Sequence, residues 1–172
     1  MTNLNLRKKV MKKFSTELSG EMSFLSNYCS LFRMDISDDF KSAIIYNPYG
    51  EENLHIYYDV EDSFTPYMLS FSFQHVHLTD QDSAKEWIDD ILSENVLSIE
   101  FFRGEDRLFG GQINKSDLPN LSYELLEHET GYYGLTKLAE IADSIKVRGW
   151  TGKNNLDGSF IKKDGKYFLV IA

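Results

Sequence analysis

The sequence predicts an α+β fold: a mainly antiparallel β-sheet built from hairpins and packed with about three α-helices. Three observations lead there. Aromatic residues make up 14% of the 172, with 12 Phe and 10 Tyr, and the Val and Ile residues fall in short runs, a composition that suits pleated sheet. Several extended runs are joined by turns of two to five residues, too short for the crossover that a parallel pair needs. Between them lie segments whose apolar residues repeat with the helical period, so hairpins alternate with helices.

Residues 4–18, "LNLRKKVMKKFSTEL", place Leu6, Val10, Phe14 and Leu18 at steps of four with Met11 beside them. This is one apolar helical stripe with lysines opposite, and it reads as a basic amphipathic helix (1–20) docking on the 21–172 body. "SAIIYNPYGEENLHIYYDV" gives two strands, 42–47 and 53–60, turned at Pro48 and Gly50. Pro66 then breaks the chain before a third strand over 67–78. "TDQDSAKEWIDDILSEN" is the clearest helix. Thr79 is its expected cap, and Ala84, Trp87, Ile88, Ile91 and Leu92 form its buried stripe. Glu86, Asp89, Asp90 and Glu94 decorate the other side.

"VLSIEFFRGEDRLFGGQI" forms a hairpin around Gly104, with a bulge or close backbone approach expected at Gly110–Gly111. Residues 116–130 read as a loop or short helical turn. A further helix is expected over 134–147, burying Leu135, Leu138, Ala139, Ile141, Ala142 and Ile145 and ending at Gly149. The chain closes with two strands around Asp164–Gly165. No repeat, low-complexity tract or linker splits it, so a single domain over 1–172 is expected.

Residues 1–20 hold five basic residues and one acid. Of the net −9, the remainder therefore carries −13. Such a body repels nucleic acid and steers toward a basic protein partner. No apolar core follows the N-terminal lysines to make a secretion signal, and no eighteen apolar residues run together. With a single cysteine, Cys29, the expected compartment is the cytoplasm.

Chemistry is sparse. In "SFSFQHVHL" an uninterrupted strand would put Phe71, Phe73, His75 and His77 on one face. Two imidazoles in an HxH spacing are two ligands of a metal site, for which His55, Glu100 or Asp82 could be the third. Cys29 has no neighbouring His, and no nucleophile elbow occurs. "RGWTGKNN" lacks P-loop spacing. The adjacent carboxylates at 38–39, 61–62, 89–90 and 105–106 point apart and make no acid–base dyad. Lys146, Arg148, Lys153, Lys162, Lys163 and Lys166, interleaved with Trp150 and Phe160, could mimic a nucleic-acid platform, though not one suited to so acidic a chain.

The stretch "LSIEFFRGEDRLFGGQI", a tenth of the chain, resembles segments of small bacterial immunity proteins of the polymorphic-toxin type. That resemblance implies a cytoplasmic protein that binds a cognate toxin domain and blocks its active site; it carries over no residues. Independently, the acidity suits a non-catalytic protein that masks a basic partner such as a nuclease, without a cofactor. The acidic, aromatic-flanked positions Asp89, Asp90, Glu94, Glu105 and Asp106 are the expected contact residues. Two other readings stand beside this one: a metal-dependent enzyme using His75 and His77, and a small-ligand-binding or scaffold domain.

Overall fold

The computed structural model describes residues 20–50, 52–72, 74–129 and 137–172. The expected N-terminal helix lies almost wholly outside them. The fold is α+β and dominated by antiparallel hairpins, as the sequence predicts. It is built on two five-stranded sheets rather than one.

The chain forms two compact units, one running through Ser70 and resuming over His75–Ile88, the other comprising Phe71–Gln74 and Asp89–Ala172. The first holds the meander β1 (Met34–Ile36), β2 (Ser42–Ile45), β3 (Leu54–Tyr58), β4 (Tyr67–Phe71) and β5 (Gln74–Leu78), hydrogen-bonded in that order. Alternation puts Ala43, Ile45, Leu54, Ile56, Tyr67 and Leu69 on one buried face. A 3-10 turn at Ser23–Asn27 contributes Phe24 and Leu25 to the core, with Met22 and Tyr28 flanking it. From helix α1 (Gln81–Leu92) this unit takes the buried Ala84, Trp87 and Ile88.

The second unit orders its strands β10-β9-β8-β6-β7: β6 (Val96–Arg103), β7 (Asp106–Asn114), β8 (Ser144–Arg148), β9 (Leu156–Lys163) and β10 (Lys166–Ile171). A 3-10 turn at Lys115–Asn120 and the short helices α2 (Tyr123–Glu129) and α3 (Leu138–Ile141) lie between β7 and β8. Leu97, Ile99, Phe101, Ile145 and Val147 pack with Tyr123, Leu126 and Leu138 as its core. The opposite side of β6 is buried too, with Ser98, Glu100 and Phe102 less than a tenth exposed.

Four local expectations change. The strand expected over 67–78 is two strands, broken where Ser72 takes φ 54°. The break shifts the alternation by one residue: Phe71 and Gln74 are buried while His75 and His77 are exposed. The helix expected over 134–147 is the single turn α3 followed by β8; Leu135 lies outside the described residues. "SIKVR" alternates with period 2, and pairing with β6 and β9 buries Ile145 and Val147 in a central strand. The irregularity of the β6–β7 hairpin sits between Phe101 and Phe102, while Gly111 and Gly110 pair in register with Ile99 and Glu100. The cap of α1 is Asp80, whose Oδ1 accepts the Ser83 N–H at 2.8 Å, with Thr79 donating to Asp80.

Candidate functional site

In the first unit an open cleft of about 560 Å³ lies between the β3–β4 connection, Glu21 and the start of α1. Its acidic lining is Glu21, Asp62, Asp80 and Asp82, with Tyr58, Tyr67, Val60 and Pro66 as its apolar part. Among the described residues no Lys, Arg or His lines it, although His77 lies close enough to favour the charged form of Asp62.

Each carboxylate but Asp82 is fixed by the fold. The Tyr67 hydroxyl donates to Glu21 Oε2 and to the Glu21 carbonyl, both at 2.8 Å, and Gln81 Nε2 donates to the same Oε2 at 3.0 Å. These bonds, Gln81 first and Tyr67 second, hold the Glu21 carboxyl below its ordinary range. The Tyr67 phenol is pushed up, chiefly by burial and then by Glu21. Asp62 accepts the Thr65 and Phe64 N–H groups at 2.9 Å and the Thr65 hydroxyl at 2.9 Å, the geometry of an Asx turn. Asp80 caps α1. Both are lowered, by the Thr65 and Ser83 backbone N–H groups respectively before any other cause.

The arrangement is therefore three hydrogen-bonded carboxylates, with Asp82 beside them, next to the half-buried ring of Tyr58. General acid–base work needs a group that changes charge near neutrality, and the three carboxyls whose titration is displaced here move away from it. Ammonium and guanidinium groups are what such a cleft attracts, through charge and through the half-buried ring of Tyr58.

The sequence-derived candidates are scattered. Asp89 is exposed on α1; Asp90 is half-buried and accepts Asn95 Nδ2 at 3.1 Å. Glu94, expected on the outer face, is 4% exposed, because its carboxylate turns inward to the Thr151 N–H, the Thr151 hydroxyl and Asn154 Nδ2. Glu105 and Asp106 are exposed at the β6–β7 tip, which is tied down by Gly104 N–H to Asp143 and Arg103 to the Glu140 carbonyl. The eight residues of β6 span about 25 Å, so the helix end and the hairpin tip are not one patch.

His75 and His77 are exposed on the edge strand β5, their rings 5.5 Å apart. His55 is on β3 and stacks on Tyr57 at 6.5 Å, with β4 intervening. Two strand spacings, about 10 Å, separate it from the pair. Glu100 bonds Ser72 and pairs with Arg107 at 3.4 Å. Among the described residues no three His, Cys, Asp or Glu come close enough to hold a metal ion.

Burial raises the Cys29 thiol, which leans on the Leu25 carbonyl at 3.5 Å and is thus held as the less reactive thiol. Trp150 is 1% exposed against Phe71, so it cannot stack on a base. Arg148 is engaged by Asp157 at 2.7 Å.

Sequence reasoning missed Glu21, Asp62 and Asp80 as a group. Local signals were present, in the turn at Glu61–Asp62 and the cap at Asp80, but their convergence on Glu21 is a product of the fold.

No protein-family model, curated protein or solved structure matches the chain. Fold and site define an α+β protein of two antiparallel sheets with an open cleft lined by four carboxylates. Among the described residues, no helix is long and apolar enough to cross a membrane.

Proposed function

We propose that this chain is a non-catalytic binding protein of the immunity type, which docks on a basic partner such as a toxin nuclease domain and masks it. The observation that carries the reading is the cleft of Glu21, Asp62, Asp80 and Asp82, with no Lys, Arg or His among its described lining residues and set in a chain of net charge −9. Carboxylates held ionised by hydrogen bonds need no reorganisation on meeting a cationic surface, and the excess of acid speeds encounter. A surface that binds Lys or Arg at a nuclease's substrate groove competes with the phosphates that groove was built for. Cytoplasmic residence accords with the single thiol.

The test is recovery of a partner from the source cells with tagged wild type and with Asp82→Lys/Glu86→Lys, two exposed positions outside the capping bonds. The expected result is a basic protein, recovered at low salt, lost as salt rises and lost in the variant. A neutral or acidic partner, or recovery indifferent to the variant and to salt, refutes the proposal.

A further inference from the structure

The chain carries a cationic segment of its own next to the cleft. Residues 1–19 lie outside the described residues, and their sequence holds Arg7, Lys8, Lys9, Lys12 and Lys13 against one acid, Glu17. The described chain starts at Gly20, and the very next residue, Glu21, is a wall of the cleft. That point of attachment is fixed. The Tyr67 hydroxyl donates to the Glu21 carbonyl and carboxylate at 2.8 Å, and the Gly20 carbonyl accepts the Ser23 N–H at 3.1 Å.

Reach is not limiting. Lys13 stands eight residues before Glu21 and Lys8 thirteen. Extended, those stretches span up to about 26 and 43 Å; as helix they rise about 12 and 20 Å. Either way the run can meet Asp62, Asp80 and Asp82, which line the same cleft as Glu21.

We propose that the 7–13 run occupies this cleft in cis, its cationic groups against Asp62, Asp80 and Asp82, and that a basic partner binds only by displacing it. The inference rests on the cleft being the cation-binding surface, and adds what controls access to it.

Charge and attachment together select this occupant. The donors that orient three of the carboxylates, from Tyr67, Gln81, Thr65 and Ser83, are neutral, so they fix position without cancelling charge. Asp82 stands outside those bonds and is exposed. His77 supports the charge of Asp62 but is the least of the influences on it. Lys85, one turn further along α1, is exposed and is not among the lining residues. Residues 1–20 hold most of one sign in a chain whose remainder is strongly of the other. A tether this short gives an effective concentration of order millimolar, so a weak ionic contact is enough to fill the cleft.

The experiment is zero-length carbodiimide coupling of the full chain at low concentration, read by peptide mass spectrometry, since it joins an ammonium only to a carboxylate in contact with it. The expected products are monomers in which Lys8, Lys9, Lys12 or Lys13 is joined to Asp62, Asp80 or Asp82, and which decline severalfold at high salt. Couplings to Glu17 or Glu21 follow from nearness in sequence and do not count. A fluorescent oligolysine then probes access. A segment that fills the cleft nine-tenths of the time weakens a competitor about tenfold. Lys8→Gln/Lys9→Gln/Lys12→Gln/Lys13→Gln is therefore expected to bind the probe about tenfold more tightly than Lys153→Gln/Lys162→Gln/Lys163→Gln/Lys166→Gln, which has the same net charge. Couplings that miss the cleft, that fall mainly on other carboxylates or that join two copies overturn the proposal, as does equal binding by the two variants. The coupling needs no partner, so the two readings fail separately. Cleft couplings without any basic partner in the source cells sink the masking function alone, while a basic partner recovered by a chain whose couplings miss the cleft sinks occupation in cis alone.

Discussion

Removing the Glu94 carboxylate tests whether the end of α1 is held by a buried anion. The helix closes in a Schellman motif, with Asn95 N–H to the Asp90 carbonyl at 2.9 Å and Glu94 N–H to the Ile91 carbonyl at 3.1 Å. The residue in the left-handed position of that motif, Glu94 at φ 56°, stands where glycine is usual. Its side chain accounts for the exception: it receives the Thr151 N–H, the Thr151 hydroxyl at 2.8 Å and Asn154 Nδ2 while only 4% exposed. A hydrogen bond to a charged group contributes about 1.5–3 kcal/mol, and Thr151 and Asn154 are half-buried, so water restores only part of what is lost. Glu94→Ala is therefore expected to cost about 3–4 kcal/mol. With a urea m-value of about 2 kcal/mol/M, the midpoint falls by about 1.5–2 M. Glu94→Gly removes the same bonds but relieves the left-handed backbone, and should be about 1 kcal/mol less damaging. Urea titrations followed by Trp fluorescence and by far-UV circular dichroism measure both. A Glu94→Ala variant within about 0.5 kcal/mol of wild type shows the carboxylate to be dispensable and refutes the reasoning.

Gly149 is bound to the same clamp, since an added Cβ would lie 2.5 Å from Glu94 Oε1 and 3.0 Å from Leu97 Cδ2. Gly149→Ala is expected to cost about 2 kcal/mol in wild type and clearly less in a Glu94→Ala background, so additive costs in a double-mutant cycle argue against a shared site. In the first unit, Glu21, Asp62 and Asp80 all titrate below their ordinary range, so the stability they lend is complete above about pH 5 and lost as pH falls through their lower folded values. Asp80→Asn, which keeps an oxygen acceptor for Ser83, should flatten that acid slope; an unchanged slope in an acid titration by circular dichroism contradicts the assignment. Tyr67→Phe leaves Glu21 with only Gln81 as donor among the bonds described, and is expected to cost about 1 kcal/mol and return the Glu21 carboxyl toward its usual range, as carbonyl-resolved NMR titration would register.

What could be read from the sequence was what is decided locally. The turns at Gly104 and Asp164–Gly165 carry the left-handed residues their geometry demands, with φ 60°, 50° and 79°, and both hairpins lie where those residues predict. Helix α1 announces itself through one apolar stripe. Residues 138–148 do not, because Leu138, Ala142 and Ile145 fit a helical stripe while Ile145 and Val147 fit a strand. The choice is made by β6 and β9, whose paired residues lie from 9 to 50 positions away. The histidine pair was misplaced by the smallest of causes, one residue of phase at Ser72. The cleft was invisible because Glu21 and Gln81 are 60 residues apart and meet only across folded elements.

The clamp at Glu94 also fixes an order of assembly. The β6–β7 hairpin follows it directly and can close from local sequence, but β8, which completes the other side of β6, begins only at Ser144. Thr151 lies 57 residues beyond Glu94. A chain emerging residue by residue thus ends α1 with an anion that must stay in water until the loop at 149–155 exists, and the helix terminus is sealed among the last events rather than the first. Pulse-labelled exchange during refolding would show β6–β7 amides protected before that of Thr151; simultaneous protection would mean that the unit closes in a single step.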